Sequence, residues 1–452
     1  MTKKIQNNNF VYSFFFRLIK YIFPISYRRM EHSGKNNIPD GGIIFAPNHT
    51  NALMDALVVL FSDFKPKVFV ARADMFKNKY LAKILTALKI LPIMRIRDGW
   101  DEVKKNDIII EKSVDVLMDR VPFVILPEGT HNAQHSLLPI GKGIFRIAIT
   151  AQQNMKDDTP VYIIPLGIVY GNFFRLRSTA LLKTGRPINI KEFLAKNNQL
   201  TTPEMYNILK LELEDRLREI IFYIPNDSDY NAVLQICSLN YKYYGKDTQF
   251  NSPVIENNSN IGTEEQLSSL EKNLYYNRAS AAKIQHIKDT DINKYREMIE
   301  AASEISKIRL EAKISEKSII KSKLALSFIS RLLVVVAALP FFLASAIICS
   351  PIHLINYIIC SKSEDKAFLN SIRFVITLLL LPIIVIVGTI IAANIFSLCC
   401  FKILLVALLL STTFTISQEY YRNARLAFSD FKLLRHNVLR RKITSFEESF
   451  LR

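Results

Sequence analysis

The stretch Gly41-Gly-Ile-Ile-Phe-Ala-Pro-Asn-His-Thr-Asn-Ala-Leu-Met-Asp55 changes character within fifteen residues. Gly42–Pro47 is a short apolar run of the kind that forms a buried strand, and Ala52–Phe61 continues with helical apolar spacing. The same alternation recurs outward from it. Strands are expected at Lys67–Ala71, Ile90–Arg95, Pro122–Leu126, Val161–Ile168 and Ala180–Thr184, with helices at Asn78–Leu88, Trp100–Met118 and Gly143–Gln153. Strands separated by helices predict an α/β domain over residues 31–225, an open, largely parallel sheet flanked by helices. An amphipathic helix over Pro203–Ile224, stopped by Pro225, closes it.

The remainder of the 452 residues follows other rules. Leu332–Cys360 is a run of 29 residues without Lys, Arg, Asp or Glu, and Phe374–Ile416 is a run of 43 whose only charge is Lys402. A hydrocarbon core of about 30 Å takes about 20 helical residues. The first run therefore reads as one tilted pass or a helix broken near Pro351, and the second as two passes turning around Asn394–Ser397. Transmembrane helices are expected over 324–416, with a basic tail over 417–452. That tail argues for a cytoplasmic C-terminus. The N-terminal portion has no signal peptide ahead of it and is also expected to be cytoplasmic. Since an odd number of passes would separate the two ends, either one segment is re-entrant or the tail breaks the charge rule. The abundance of Asn, Ile and Lys is compatible with a bacterial inner membrane. Residues 1–30 read as an interfacial amphipathic segment, with Phe10–Phe23 toward lipid and Arg17, Lys20, Arg28 and Arg29 toward anionic headgroups, or as a helix packed on the protein's own domain. Residues 226–262, rich in Asn, Ser, Asp and Tyr, read as a linker, and 263–323 as a charged helical region opened by Thr263 and Gln266 in capping-box spacing.

Composition narrows the class. Apolar residues make up 49%, charged residues 22%, and mean hydropathy is +0.14, which excludes disordered and fibrous chains. The net charge of +18 implies an anionic partner such as nucleic acid, a lipid surface or a phosphorylated substrate. The five Cys, four of them in apolar runs, form neither a disulfide framework nor a zinc spacing.

Three constellations carry chemistry. His49 falls at the carboxyl end of an expected strand, the edge where open α/β sheets bind ligands, and Asp55 follows six positions later. With His49 in the turn and Asp55 in the first helical turns, the carboxylate could hold one imidazole nitrogen and leave the other free for a proton. A capping histidine beside a solvated aspartate is the plainer reading of that spacing. The run Val121-Pro-Phe-Val-Ile-Leu-Pro-Glu-Gly-Thr130 brings Glu128, Gly129 and Thr130 to another strand end, and Gly141-Lys-Gly143 opens a helix that suits an anion through backbone N–H groups and the Lys142 ammonium. Leu91-Pro-Ile-Met-Arg-Ile-Arg97 ends a strand in two guanidiniums, of which Arg95 is expected to face the site.

At these residues the chain resembles the phospholipid/glycerol acyltransferase family. Asn48, His49 and Asp55 match its first block, Ile93-Met-Arg95 its second, Leu126-Pro-Glu-Gly-Thr130 its third and Ile163-Ile-Pro165-Leu-Gly167 its fourth, in order over residues 28–190. Most of the family has four residues between His and Asp. The five found here resemble the branch that acylates glycerol 3-phosphate or dihydroxyacetone phosphate. The resemblance implies transfer of a fatty acyl group from acyl-CoA or acyl carrier protein, a thioester co-substrate in place of any cofactor, to a hydroxyl of such an acceptor in phospholipid biosynthesis. His49 would be the general base and Asp55 its orienting partner, while Arg95, Glu128, Gly129 and Thr130 would bind the acceptor. Lys142 joins them on the anion argument alone. A lysophosphatidate acceptor is the alternative.

Three rivals are weaker. His131 and His135 stand four apart as a metal pair could, but in a loop and without an evident third ligand; His131 is expected near the pocket and His135 exposed. An inactive membrane scaffold does not explain four intact blocks. Nucleic-acid binding lacks any motif, and basic residues beside lipid need no nucleic acid. Membrane lipids, the acceptor and the acyl donor are thus the expected partners, with no metal.

Overall fold

The apolar runs of the first half pair into one sheet because each carries too few polar side chains to stand in water. The structure, a computed structural model, describes residues 4–7, 9–63, 65–94, 106–155, 157–241, 267–321, 323–397 and 399–451. The chain divides into two compact units, Met1–Ile221 with Lys362–Leu378, and Phe222–Ser361 with Leu379–Arg452.

In the first unit the strands are β1 (Tyr27–Ser33), β2 (Gly42–Pro47), β3 (Val68–Arg72), β4 (Ile90–Ile93), β5 (Phe123–Val124), β6 (Val161–Tyr170), β7 (Ser178–Thr184) and β8 (Ile188–Asn189). Their order is β1-β7-β6-β2-β5-β3-β4, with β8 also on β6. All neighbours run parallel except β6 with β7 and β8. Helices α1 (Phe10–Ser26), α2 (Leu53–Leu60), α3 (Lys79–Ala87), α4 (Asn106–Met118), α5 (Gly143–Asn154), α6 (Ile190–Lys196) and α7 (Thr202–Arg218) complete the unit. The expected α/β sheet is therefore present. β2 is buried at every position because β5 and β6 flank it and helices cover the sheet's faces.

Several boundaries differ from expectation. β1, Tyr-Arg-Arg-Met-Glu-His-Ser, has no apolar alternation because it is an edge strand paired only with β7, and it starts the domain before residue 31. The closing helix stops at Arg218 rather than Ile224. β4 ends at Ile93, and residues 95–105, with Arg95 and the first turns of the helix expected from Trp100, lie outside the described residues.

α1 packs one face on its own domain. Asn9 caps it, accepting from Tyr12 N–H, and donates its amide to the Ala87 carbonyl at 3.0 Å. Lys89, buried and at φ 62°, donates to the Gln6 carbonyl at 2.8 Å and sits over the Tyr12 ring. Phe23 stacks on Phe61. One face is thus packed on the domain, while Phe10, Phe14, Tyr21, Arg17 and Lys20 remain exposed.

The second unit is helical. The stretch read as a linker contains α8 (Tyr230–Asn240), whose Ile236 and Cys237 are buried and whose buried Gln235 accepts from Arg309 at 2.7 Å. Residues 242–266, including Thr263 and Gln266, lie outside the described residues. A capping box is present instead at Ser268 and Glu271, opening α9 (Ser269–Thr290), and α10 (Ile292–Glu311) follows. Then come α11 (Leu324–Ile348), α12 (Ser350–Ser361), α13 (Leu369–Phe396), α14 (Cys400–Arg435) and α15 (Asn437–Phe446). Three described helices are long and apolar enough to cross a membrane: α11, the stretch Lys366–Phe396 that contains α13, and α14. Their exposed Leu333, Phe341, Ile347, Ile395 and Leu404 require a non-aqueous surround. The region read as a basic tail begins inside α14, which runs on to Arg435.

Contacts along α14 order these helices in depth. Arg331 pairs with Asp430 at 2.6 Å, Phe342 stacks on Tyr420, and Cys349 meets Thr413 at 3.2 Å, so α11 descends antiparallel to α14. His353 then meets Ser417 at 3.1 Å, so α12 turns back up the same helix. The break at Cys349 agrees with the expected break near Pro351. α13 and α14 form a second hairpin turning at Ser397 (φ 47°), with Gly388 against Leu410.

Gly167 on β6 marks where the chain after α7 passes under the sheet. A Cβ there would lie 2.7 Å from the Ile220 carbonyl oxygen and 3.0 Å from Ile221 Cγ2. Gly167→Ala should therefore lower the thermal midpoint, through an overpacking cost of about 1–3 kcal/mol. An unchanged midpoint in detergent would show that this crossing is loose.

Candidate active site

β2 delivers His49 to the carboxyl edge of the sheet, and the segment's own polar groups fix it there. Asn48 is buried and extends the β2–β6 ladder through its side chain, accepting from Ile168 N–H at 2.6 Å and donating to the Ile168 carbonyl at 3.2 Å. His49 N–H donates to Glu128 Oε1 at 2.7 Å, and its carbonyl accepts from Asn132 N–H at 3.2 Å. Neither backbone group of His49 is left to water.

Asp55 completes the pair. It is 0% exposed, and its Oδ2 accepts from His49 Nδ1, Thr50 N–H and Asn51 N–H at 2.8, 2.8 and 2.7 Å. Tyr170 hydroxyl donates to Oδ1 at 2.7 Å. A carboxylate with this many donors is an acceptor only, so the imidazole proton is on Nδ1 and Nε2 carries the lone pair. The plainer reading, a capping histidine beside a solvated aspartate, is thereby corrected. The six-position reach from His49 to Asp55 is absorbed at Ala52, held at φ 46° and ψ −125°, a conformation that costs a non-glycine residue on the order of 1–3 kcal/mol.

The other expected site residues divide. Glu128 is buried beside the pair, its second oxygen accepting from Leu138 N–H at 2.9 Å. Both oxygens thus hold backbone, which makes it a brace for the His49 strand end. Burial, helped by the nearby Asp55 charge and opposed by the two N–H donors, pushes its carboxyl up to about 8. Gly129 sits at φ 64° in the turn closed by its N–H to the Leu126 carbonyl, with open space where a Cβ would be, and Thr130 beside it is exposed. Lys142 is exposed at the start of α5, and the Gly141 N–H offered to an anion is already given to the Pro127 carbonyl at 2.8 Å. That part of the anion argument falls.

Two residues, Tyr170 and Asp365, were not assigned from the sequence. Tyr170 ends β6, two residues past the strand end expected at Ile168, and its hydroxyl reaches Asp55. His131 was expected near the pocket and is there, its ring 5.4 Å from that of His49. Its own carboxylate, Asp365, comes from the connection ahead of α13, at 3.0 Å. His135, expected to be exposed, packs at 4.9 Å on Phe173, and burial lowers its imidazole to about 4. Among the described residues no group of three His, Cys, Asp or Glu is arranged to hold a metal ion.

Residues 29–169, which contain the pair, the brace and the Gly129 turn, match the family model described as Acyltransferase. The matched stretch lies ahead, in the sequence, of helices long and apolar enough to cross a membrane. Among solved structures, the 1-acyl-sn-glycerophosphate (LPA) acyltransferase PlsC from Thermotoga maritima is similar at 18% identity, over 46% of this chain and 77% of that one, with a TM-score of 0.31. No curated protein matches the sequence significantly.

Glu128 gives the site a pH signature. Its carboxyl titrates near 4.5 when unfolded and about 8 when folded, so the unfolded chain loses that proton first. The contribution of this group to stability is full below 4.5 and is lost as pH rises toward 8. Thermal midpoints of the wild type should fall across that window, and Glu128→Gln should remove the slope; an equal slope in the variant would assign it elsewhere.

Proposed function

We propose that this protein is a membrane-bound glycerolipid acyltransferase. It moves a fatty acyl group from acyl-CoA or acyl carrier protein to the hydroxyl of glycerol 3-phosphate or dihydroxyacetone phosphate. The observation that carries the reading is the His49–Asp55 pair at the sheet's carboxyl edge, with Nδ1 tied to a buried carboxylate at 2.8 Å and Nε2 left to take a proton. In the reaction, Nε2 accepts the hydroxyl proton as the oxygen attacks the thioester carbonyl, and Asp55 stabilises the imidazolium. When the C–S bond breaks, the sulfur takes that proton, so the imidazole ends as it began. The five-residue spacing within the pair supports an acceptor not yet acylated. Arg95 is proposed to meet the acceptor's phosphate, with Thr130 and the open backbone at Gly129 beside it.

The catalytic unit and the C-terminus are proposed to share the cytoplasmic side. Support comes from α12 turning back along α14, which lets Leu324–Ser361 enter and leave by one face, and from the basic residues after Ile416. In this reading the first segment is re-entrant, and the two ends share one side. An impermeant maleimide should then label Cys399 and Cys400, exposed at the α13–α14 turn, only from the face opposite a C-terminal tag. Labelling from the tag's own face would overturn the topology.

The activity is tested by offering palmitoyl-CoA or acyl carrier protein thioester to membranes with glycerol 3-phosphate, dihydroxyacetone phosphate or lysophosphatidate in turn. His49→Ala should lose on the order of 10²–10⁴-fold in kcat, and Asp55→Asn a comparable factor through the wrong tautomer. Full activity in His49→Ala would remove it as the base, and preference for lysophosphatidate would shift the acceptor to that class.

A further inference from the structure

A second His–Asp pair lies against the first. His131 Nε2 is 3.0 Å from Asp365 Oδ2, although the two residues are 234 positions apart in sequence. Asp365 is itself fixed, its Oδ1 accepting from Ala367 N–H at 2.8 Å. The His131 ring meets the His49 ring edge-on at 5.4 Å and is covered by Phe368, edge-on at 4.6 Å. Only 12% of the His131 side chain is exposed, against 54% for Asp365. An exposed ion pair of this kind contributes little to stability, about 0–1 kcal/mol. Its location, beside the base, points to chemistry.

Asp365 is acceptor-only when ionised, so Nε2–H of His131 is donated to it and Nδ1 is the nitrogen left for a ligand. The carbonyl oxygen of a thioester under attack is separated by a single carbon from the hydroxyl oxygen that His49 deprotonates. The acceptor's phosphate lies on the far side of its carbon chain. A ring this close to His49 therefore suits the reacting carbonyl better than the phosphate.

We infer that His131 is a second substrate-contacting residue, donating a hydrogen bond from Nδ1 to the thioester carbonyl oxygen as negative charge gathers there, and that Asp365 is its positioning residue. The inference rests on the acyl-transfer reading above. As the hydroxyl oxygen bonds to the carbonyl carbon, the C=O π pair moves onto the oxygen facing His131. On collapse the pair returns, the C–S bond breaks with its electrons on sulfur, and the sulfur takes the proton held by His49. In this assignment His131 acts as the imidazolium, so that Nδ1 as well as Nε2 carries a proton; it gives up neither in the step, and Asp365 balances its charge.

The test compares kcat and KM for the wild type, His131→Ala, His131→Gln, Asp365→Asn, Asp365→Glu and the double variant His131→Ala/Asp365→Asn in membranes. Loss of one donor to such an oxyanion costs on the order of 10²–10³-fold, and His131→Ala should lose that factor in kcat with both KM values unchanged. His131→Gln, which still donates, should keep part of it. Asp365→Asn should lose about tenfold, as partners of functional groups typically do, with recovery in Asp365→Glu and no further loss when added to His131→Ala. Unchanged kcat in His131→Ala, a raised KM for the acceptor at constant kcat, or a further loss in the double variant would each overturn the assignment. If the wild type is active and His131→Ala equals it, only this inference falls; if the wild type transfers no acyl group from either donor, it falls together with the acyl-transfer reading.

Discussion

The site depends on keeping one carboxylate charged where water cannot reach it. Asp55 is fully buried, and an uncompensated charge there would cost several kcal/mol, on the order of what holds a whole domain folded. Four donors offset that cost, and they come from three different constraints. Thr50 and Asn51 N–H are supplied by the turn that Ala52 strains to make, Tyr170 by the register of β6 on β2, and His49 by the strand end that Asn48 and Glu128 hold. Moving any of these elements would strand the charge. The sheet, the turn and the imidazole tautomer are therefore one problem solved together.

Much of this was legible in the residues. β2 and its helix were readable because a fully apolar strand followed by helical spacing leaves few other options, and His49 and Asp55 stood at the edge where such sheets bind ligands. What stayed hidden has a common cause. Tyr170, His131 with Asp365, and the brace formed by Glu128 are relations between residues far apart in sequence, and periodicity reports only on neighbours. β1 was missed because an edge strand needs no apolar alternation, and α8 because part of its polar content is buried against other helices, as where Gln235 Oε1 accepts from Arg309. His135 illustrates the reverse error: a polar residue in a loop looks exposed until an aromatic neighbour closes over it.

The apolar half shows the same division. Length and hydropathy identified the runs, but not that α12 climbs back along α14. That depends on side-chain matches, Cys349 with Thr413 and then His353 with Ser417, which no hydropathy window contains. Membrane passes counted from runs alone do not register that return.

The α/β unit is discontinuous: Lys362–Leu378 belongs with Met1–Ile221, and between them the chain passes through α11 and α12. During synthesis the first 221 residues can collapse early, but the unit still lacks Asp365, Phe368 and the start of α13. These residues leave the ribosome only after Leu324–Ile348, the first described helix long and apolar enough to cross a membrane, has been made. Completion of this unit is thus ordered behind synthesis of that helix. A chain cut at the apparent end of the α/β domain to obtain a soluble enzyme would omit part of the very unit it was meant to isolate.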